Sequence, residues 1–259
     1  MAMLTVTAAS ASPWGEELLE DIEFELTAGS VLCIIGPTGA GKTKLLHVLA
    51  GGIPLSRGSV TLAGEPLPDW QRLEKARAVS VLPQNSTLSF PYRVEEVVQL
   101  GRTPHSSGVR SDRIVVDDVM QATDILSLRT RLYTQLSGGE KQRVQLARVL
   151  AQIWRAEDSP ARLLLLDEPT NALDLAHQQM VINTIRRLAK DGCAVVLVVH
   201  DFNLAASVAD EIIVLSHGRQ VSRGAPESVL TETMFQQVFA VDALISKHPN
   251  SGRPLVIQP

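Results

Sequence analysis

The sequence predicts an α/β fold: a mostly parallel sheet covered by helices, an antiparallel β subdomain at its start and an inserted α-helical subdomain. Three observations predict it. Near-continuous apolar runs at Val31 to Ile35, Leu163 to Leu166 and Ala194 to Val199 alternate with helical patterns, as parallel strands covered on both faces do. Leu4-Thr5-Val6-Thr7 and Ile22-Glu23-Phe24-Glu25-Leu26 alternate with period two, the pattern of half-buried antiparallel strands. After Gln84 the strand signals stop, and Val94 to Leu100, Ile114 to Leu126 and Ser137 to Ile153 carry helical spacing. A single domain is therefore expected, with a core at 1–84 and 161–259 and a helical insert at 85–160.

The elements follow in order. Ser12-Pro13-Trp14-Gly15 forms a turn between the first two strands, and Ala28-Gly29 turns into the Val31 strand. Ser59 to Leu62 is another alternating strand, closed by Gly64, and Ala78 to Leu82 is a strand that delivers Pro83-Gln84. Val181, Ile182, Ile185, Leu188 and Ala189 mark an amphipathic helix, and Ile212 to Leu215 a late strand. The last dozen residues, with His248-Pro249-Asn250-Ser251-Gly252, read as a loose turn and tail.

Gly36-Pro37-Thr38-Gly39-Ala40-Gly41-Lys42-Thr43 leaves the Val31 strand and runs into Leu45-Leu46, with Val48-Leu49 one turn on, before Gly51-Gly52 stop the helix. In a strand–loop–helix setting, G-x-x-x-x-G-K-S/T is a phosphate-binding P-loop. Its glycines let the backbone N–H groups turn inward, and the following helix adds its unpaired N–H groups and positive dipole end. Lys42 supplies a full charge for the β- and γ-phosphates of a nucleotide, and the Thr43 hydroxyl is suited to ligate Mg2+. ATP and Mg2+ are the expected ligands of a P-loop NTPase core.

The strand Leu163 to Leu166 ends in Asp167-Glu168. A phosphate site needs an acid at a strand's C-terminal end to hold Mg2+ or its water shell, which assigns Asp167 to the metal. Glu168 is then placed to act as general base on the attacking water. Leu136-Ser137-Gly138-Gly139-Glu140 opens a helix, and a capping box accounts for Ser137 and Glu140. It leaves two adjacent glycines in a first turn unexplained, whereas close approach of backbone N–H groups to a phosphate explains all four.

Composition removes other classes. With 24 Lys and Arg against 28 Asp and Glu, the net charge of −4 offers no bulk attraction for nucleic acid or anionic lipid. Cys33 and Cys193 each sit in an apolar run without metal spacing, and free buried thiols fit a reducing compartment. The first residues lack the order of a signal peptide, and no apolar run approaches the roughly 18 residues that span a bilayer. Any membrane role is expected to run through a partner.

GPTGAGKT, then Gln84, LSGGEKQR, LLLLDEPTNALD and His200, in this order, resemble the ATP-binding cassette (ABC) ATPases over nearly the whole chain. The resemblance implies a homodimer with two ATP molecules at its interface. Ser137, Gly138 and Gly139 of one subunit would contact the γ-phosphate held by the other's P-loop. It further implies that Gln84 senses Mg2+ and the membrane partner, that His200 contacts the γ-phosphate, and that Asn171 to Asp174 form a D-loop touching the second subunit. Trp14 stands where an aromatic stacks on adenine, with a solvent-facing turn residue as the alternative. Thr38, Thr43 and Lys44 replace the family's more frequent Asn, Ser and Thr, and Asn171 its more frequent Ser. None removes a hydrolytic group, since Lys42, Asp167, Glu168 and His200 are present.

Within the family, a lone cassette implies the energising subunit of a transporter, on the cytoplasmic side of a bacterial inner membrane. Its partners would be a permease dimer and, indirectly, a substrate-binding protein. A translation-type ATPase would carry two cassettes and a repair-type one a long coiled-coil insert; neither is visible in 259 residues. Gly101-Arg102-Thr103-Pro104-His105, the link Ala151 to Pro160 and LDLAHQQ resemble the haem (hemin) importer ATPases, among the importers of iron complexes, cobalamin and haem. Ferric-siderophore and cobalamin import remain the alternatives, and His105 is read as a surface or partner contact rather than a haem ligand.

Overall fold

The computed structural model describes residues 2–13, 15, 18–84 and 88–257. They fall into two compact units, Met1–Asp69 with Ala194–Pro259, and Trp70–Cys193. The first unit opens with β1 (Ala2–Ala11) and β2 (Leu19–Thr27), antiparallel, with Leu4 opposite Leu26 and Val6 opposite Phe24. The predicted alternation is the observed burial: Ile22, Phe24 and Leu26 face inward while Glu23 and Glu25 are exposed. β3 (Val31–Ile35), buried throughout, leads to α1 (Lys42–Leu49); β4 (Arg57–Leu62) and β5 (Glu65–Pro66) follow. A register shift in β1 between Val6 and Ala9 places Ala8 at φ 45°. Gly58 of β4 passes so close that a Cβ there would sit 2.2 Å from the Ala8 carbonyl oxygen.

The second unit carries α2 (Arg72–Ala78), β6 (Val79–Leu82), α3 (Val94–Gln99), α4 (Val109–Ala122), α5 (Gly138–Ile153), β7 (Leu163–Asp167) and α6 (Leu175–Lys190). β6 and β7 pair in parallel, Val79 with Leu163 through Leu82 with Leu166. α5 is tied to β6 by the Ser80 hydroxyl, which donates to the Val149 carbonyl at 2.7 Å, and by Gln152 Nε2, which donates to the Val79 carbonyl at 2.9 Å. Val97, Val98, Val119, Met120, Val144 and Leu150 fill the space among α3, α4 and α5. The helix expected at Ile114 to Leu126 runs instead from Val109 to Ala122. It starts after Gly108 at φ 87° and ends before Asp124 at φ 51°, backbone breaks that apolar spacing does not encode.

The chain then returns to the first unit with β8 (Ala194–Val198), α7 (Phe202–Val208), β9 (Glu211–Ser216), β10 (Arg219–Gly224), α8 (Pro226–Val229), α9 (Glu232–Met234), β11 (Leu244–Lys247) and β12 (Pro254–Ile257). β3 lies between β8 and β9, parallel to both. The strand order in this unit is β5-β4-β1-β2-β10-β9-β3-β8, so the antiparallel and parallel parts join through the β9–β10 hairpin. The mixed α/β class predicted from sequence is the one observed.

The loose tail expected at the C-terminus is a hairpin: β11 and β12 pair antiparallel, Leu244 with Ile257 through Lys247 with Pro254. It is fastened to α7. Asn203 donates to the Val256 carbonyl at 3.0 Å and accepts from its N–H at 2.7 Å, and Arg253 donates to the carbonyls of Ala206 and Ala209, each at 2.8 Å. Polar side chains and backbone hold this segment, which is why no apolar period announced it. Among the described residues, no helix is long and apolar enough to cross a membrane.

Candidate active site

The chain leaves β3 at Gly36, φ 151°, where a Cβ would lie 2.1 Å from the Leu215 carbonyl oxygen of β9. Only glycine fits so close to a neighbouring backbone. Gly39 and Gly41 adopt φ 82° and 99°, and Gly41 is backed by Leu18 and Leu19. Between them Ala40 is pinned: its N–H donates to the Pro37 carbonyl, and its carbonyl accepts from the Gly218 N–H, both at 3.1 Å. Thr38 is exposed in the same loop, beside Gly39. Gly41 also serves as the N-cap of α1 without any side-chain cap. The helix therefore starts at a left-handed glycine, and a helix N-terminus favours an anion through its N–H groups and dipole.

Lys42 is 7% exposed, and its Nζ donates to the carbonyls of Gly36 at 2.7 Å and Pro37 at 2.9 Å. The loop thereby curls around its own lysine, which holds the charge at the mouth of the turn. Thr43 follows in the first turn of α1. In the same unit, His200 is exposed where β8 gives way to α7. Its neighbour Asp201 caps α7, accepting from the N–H groups of Asn203 at 2.8 Å and Leu204 at 3.1 Å. His200, Asp201, Phe202, Asn203 and Val256 line a cavity of about 300 Å³.

In the second unit, β7 ends in Asp167, 1% exposed, and Glu168, 8% exposed. Glu168 has φ 50°, a left-handed backbone rarely taken by a residue with a side chain. Its carboxylate receives two amide donors: Gln84 Nε2 reaches Oε1 at 3.0 Å, and Asn171 Nδ2 reaches Oε2. Gln84, Glu168 and Asn171 therefore form one cluster. The Asp167 carboxylate and the Thr43 hydroxyl are each an oxygen donor of the hard kind that Mg2+ selects.

Ser137 caps α5 as the capping box requires: its Oγ accepts from the Glu140 N–H at 3.3 Å, and the Glu140 carboxylate accepts from the Ser137 N–H at 2.8 Å. That N–H is the main reason the Glu140 carboxyl titrates below its ordinary value. The two glycines divide in role. A Cβ on Gly139 would lie 3.0 Å from the Ala172 carbonyl oxygen, a tight fit against the 171–174 loop. Beyond its chain neighbours and its own helix backbone, Gly138 has no described atom within 4 Å of an added Cβ. Trp14 lies outside the described residues.

The stretch Gly101 to His105 and the end of α5 with the link that follows, two separate marks in the sequence, hold each other. Arg102 is 2% exposed and ion-paired with Asp112 at 2.9 Å and Asp158 at 2.8 Å, and it donates to the Ala151 carbonyl at 2.8 Å. His105 Nε2 donates to the Gln152 carbonyl at 2.8 Å. Burial, before any other cause, lowers the His105 pKa from its ordinary value of 6.5. Gly101 packs on α5, where a Cβ would lie 2.1 Å from the Arg148 carbonyl oxygen. The hold of Asn171 on Glu168 was not legible in the sequence; its only signal was the Asn that replaces the family's usual Ser.

The ABC transporter family model matches residues 19–171. The chain is 51% identical over 245 residues to "Hemin import ATP-binding protein HmuV" of Gloeobacter violaceus, covering 94% of this chain and 89% of that one. It is 46% identical to the protein of the same name from Pseudomonas putida, covering 98% and 99%. A solved ATP-binding subunit of an ABC transporter superposes with a TM-score of 0.78 at 20% identity, covering 88% of this chain and 91% of that one.

Proposed function

This chain belongs to the ABC transporter family, and from that premise we propose that it is the ATPase subunit of a hemin importer. In this reading it dimerises around two Mg-ATP and energises a permease that carries hemin into the bacterial cytoplasm. The observation that carries the reading is the 51% identity, over 94% of the chain, to a hemin import ATP-binding protein. The clasp between Gly101 to His105 and the 151–158 link supports it, because both marks of the hemin group meet in one packed feature. The protein works from the membrane's inner face through its partners, a permease dimer and, indirectly, a substrate-binding protein. Its core at 1–84 and 161–259 and its insert at 85–160 act as a single ATPase domain.

The residues divide the work as follows. Gly36 to Thr43 cradle the phosphates with backbone N–H groups, and Lys42 balances charge on the β- and γ-oxygens. Thr43, Asp167 and Gln84 would hold Mg2+, which would supply positive charge to the phosphates. Glu168 takes a proton from the water whose oxygen attacks the γ-phosphorus, the bond to the β-phosphate oxygen breaks, and ADP leaves. His200 donates to the γ-phosphate, and Ser137, Gly138 and Gly139 of the second copy close over it. Gly138, on which the chain itself makes no steric demand, is where that approach needs glycine. ATP then drives closure because it binds the closed dimer better than the open one.

Uptake is the direct test. The complex with its permease is reconstituted in vesicles and supplied in turn with hemin-, ferric-siderophore- and cobalamin-loaded binding proteins. ATP-dependent accumulation of hemin alone is expected; accumulation of a siderophore or cobalamin instead would overturn the hemin assignment while keeping the transporter one.

A further inference from the structure

We infer that Asn171 is a positioning residue for hydrolysis, acting within its own chain by holding the carboxylate of Glu168. The inference deepens the proposed reaction and rests on Glu168 being the base. It starts from the turn after β7. The Asn171 N–H donates to the Glu168 carbonyl at 3.2 Å, closing Glu168-Pro169-Thr170-Asn171 into a tight turn. Proline in the second position fixes its own φ and stiffens that turn. Positions 168 and 171 are thereby brought face to face, and the Asn171 side chain donates to Glu168 Oε2.

The other carboxylate oxygen is held from a different direction by Gln84, at 3.0 Å. Two amide donors on two oxygens set both the torsion and the plane of a nearly buried carboxylate, one on each side. Glu168 takes a left-handed backbone with φ 50°, and such strain persists only where surrounding contacts hold it. Serine would carry its donor one bond nearer the backbone than the amide nitrogen of asparagine does. The chain's departure from the commoner serine thus supplies a donor aimed at the base. Neighbouring Ala172 packs against Gly139, where an added Cβ would lie 3.0 Å from its carbonyl oxygen, so one loop lies against both the base and the segment proposed to close over the second copy's ATP.

The experiment measures steady-state ATP hydrolysis by the reconstituted complex, with kcat and KM for ATP separated and thermal midpoints recorded. Asn171→Ala is expected to lower kcat by about tenfold, the scale of one hydrogen bond to a charged group, with KM for ATP unchanged. Asn171→Asp keeps the shape but replaces the donor by a carboxylate, and should lower kcat further. A space-filling role predicts the reverse order, with Asn171→Asp close to the natural protein. In a Glu168→Gln background neither change should reduce the residual turnover again, since residues acting as a unit are not additive. Full kcat in both Asn171 variants, or a loss confined to KM, would overturn the inference. Normal turnover in Glu168→Gln alone would instead overturn the base assignment on which it rests.

Discussion

Gly36 shows how completely a single residue can be dictated by its surroundings. Its φ of 151° and the Leu215 carbonyl oxygen, 2.1 Å from where a Cβ would stand, leave no room for another side chain. Lys42 is the complementary case: its ammonium donates to two loop carbonyls, those of Gly36 and Pro37. Lys42→Ala is therefore expected to leave the fold intact and weaken ATP binding by an order of magnitude or more, as removal of a charge-assisted contact should. Equilibrium titration with a fluorescent ATP analogue checks this, and unchanged affinity would contradict the P-loop assignment. Lys42, Asp167 and Glu168 could be singled out from the sequence because their motifs carry fixed spacing. The hold of Asn171 could not, because a contact three residues away depends on the turn's backbone and on which way a side chain points.

At the scale of elements, helices and strands were legible wherever apolar spacing was strong, as in β3, β7, β8 and α5, and less so where polar contacts do the fastening. The clasp of Arg102 and His105 on the end of α5 is one such case, and it has a consequence for pH. Burial first of all lowers the His105 pKa below its ordinary value of 6.5, so the folded chain keeps this ring neutral where the unfolded chain protonates it. Its contribution to stability is intact above 6.5 and is lost as pH falls below that value toward the lowered folded pKa. Between about pH 7.5 and about pH 5.5, the thermal midpoint of the natural protein should fall more than that of His105→Gln, whose amide can still donate to Gln152. Parallel pH profiles for the two proteins would exclude His105 as a source of acid sensitivity.

For the whole molecule, the decisive experiments concern assembly. If two copies share each ATP, Glu168→Gln should still bind ATP, lose turnover by roughly 10²-fold or more and accumulate as an ATP-bound dimer on size-exclusion chromatography. Ser137→Arg should spare nucleotide binding yet prevent that dimer, because a long cation replaces the capping hydroxyl at the turn meant to meet the second copy's phosphate. A Ser137→Arg protein with natural turnover would contradict the shared site. The sequence alone determined the α/β class, the P-loop, the acidic strand end and the signature turn, because local spacing and backbone demands are written residue by residue. Only the tertiary structure decided that the tail is a hairpin locked to α7, that Gly101 to His105 clasp the 151–158 link, and that Gln84 and Asn171 share the carboxylate of Glu168. Each of these rests on polar groups distant in sequence or turned toward one another by the backbone, and such hydrogen bonds leave no period in the chain to read.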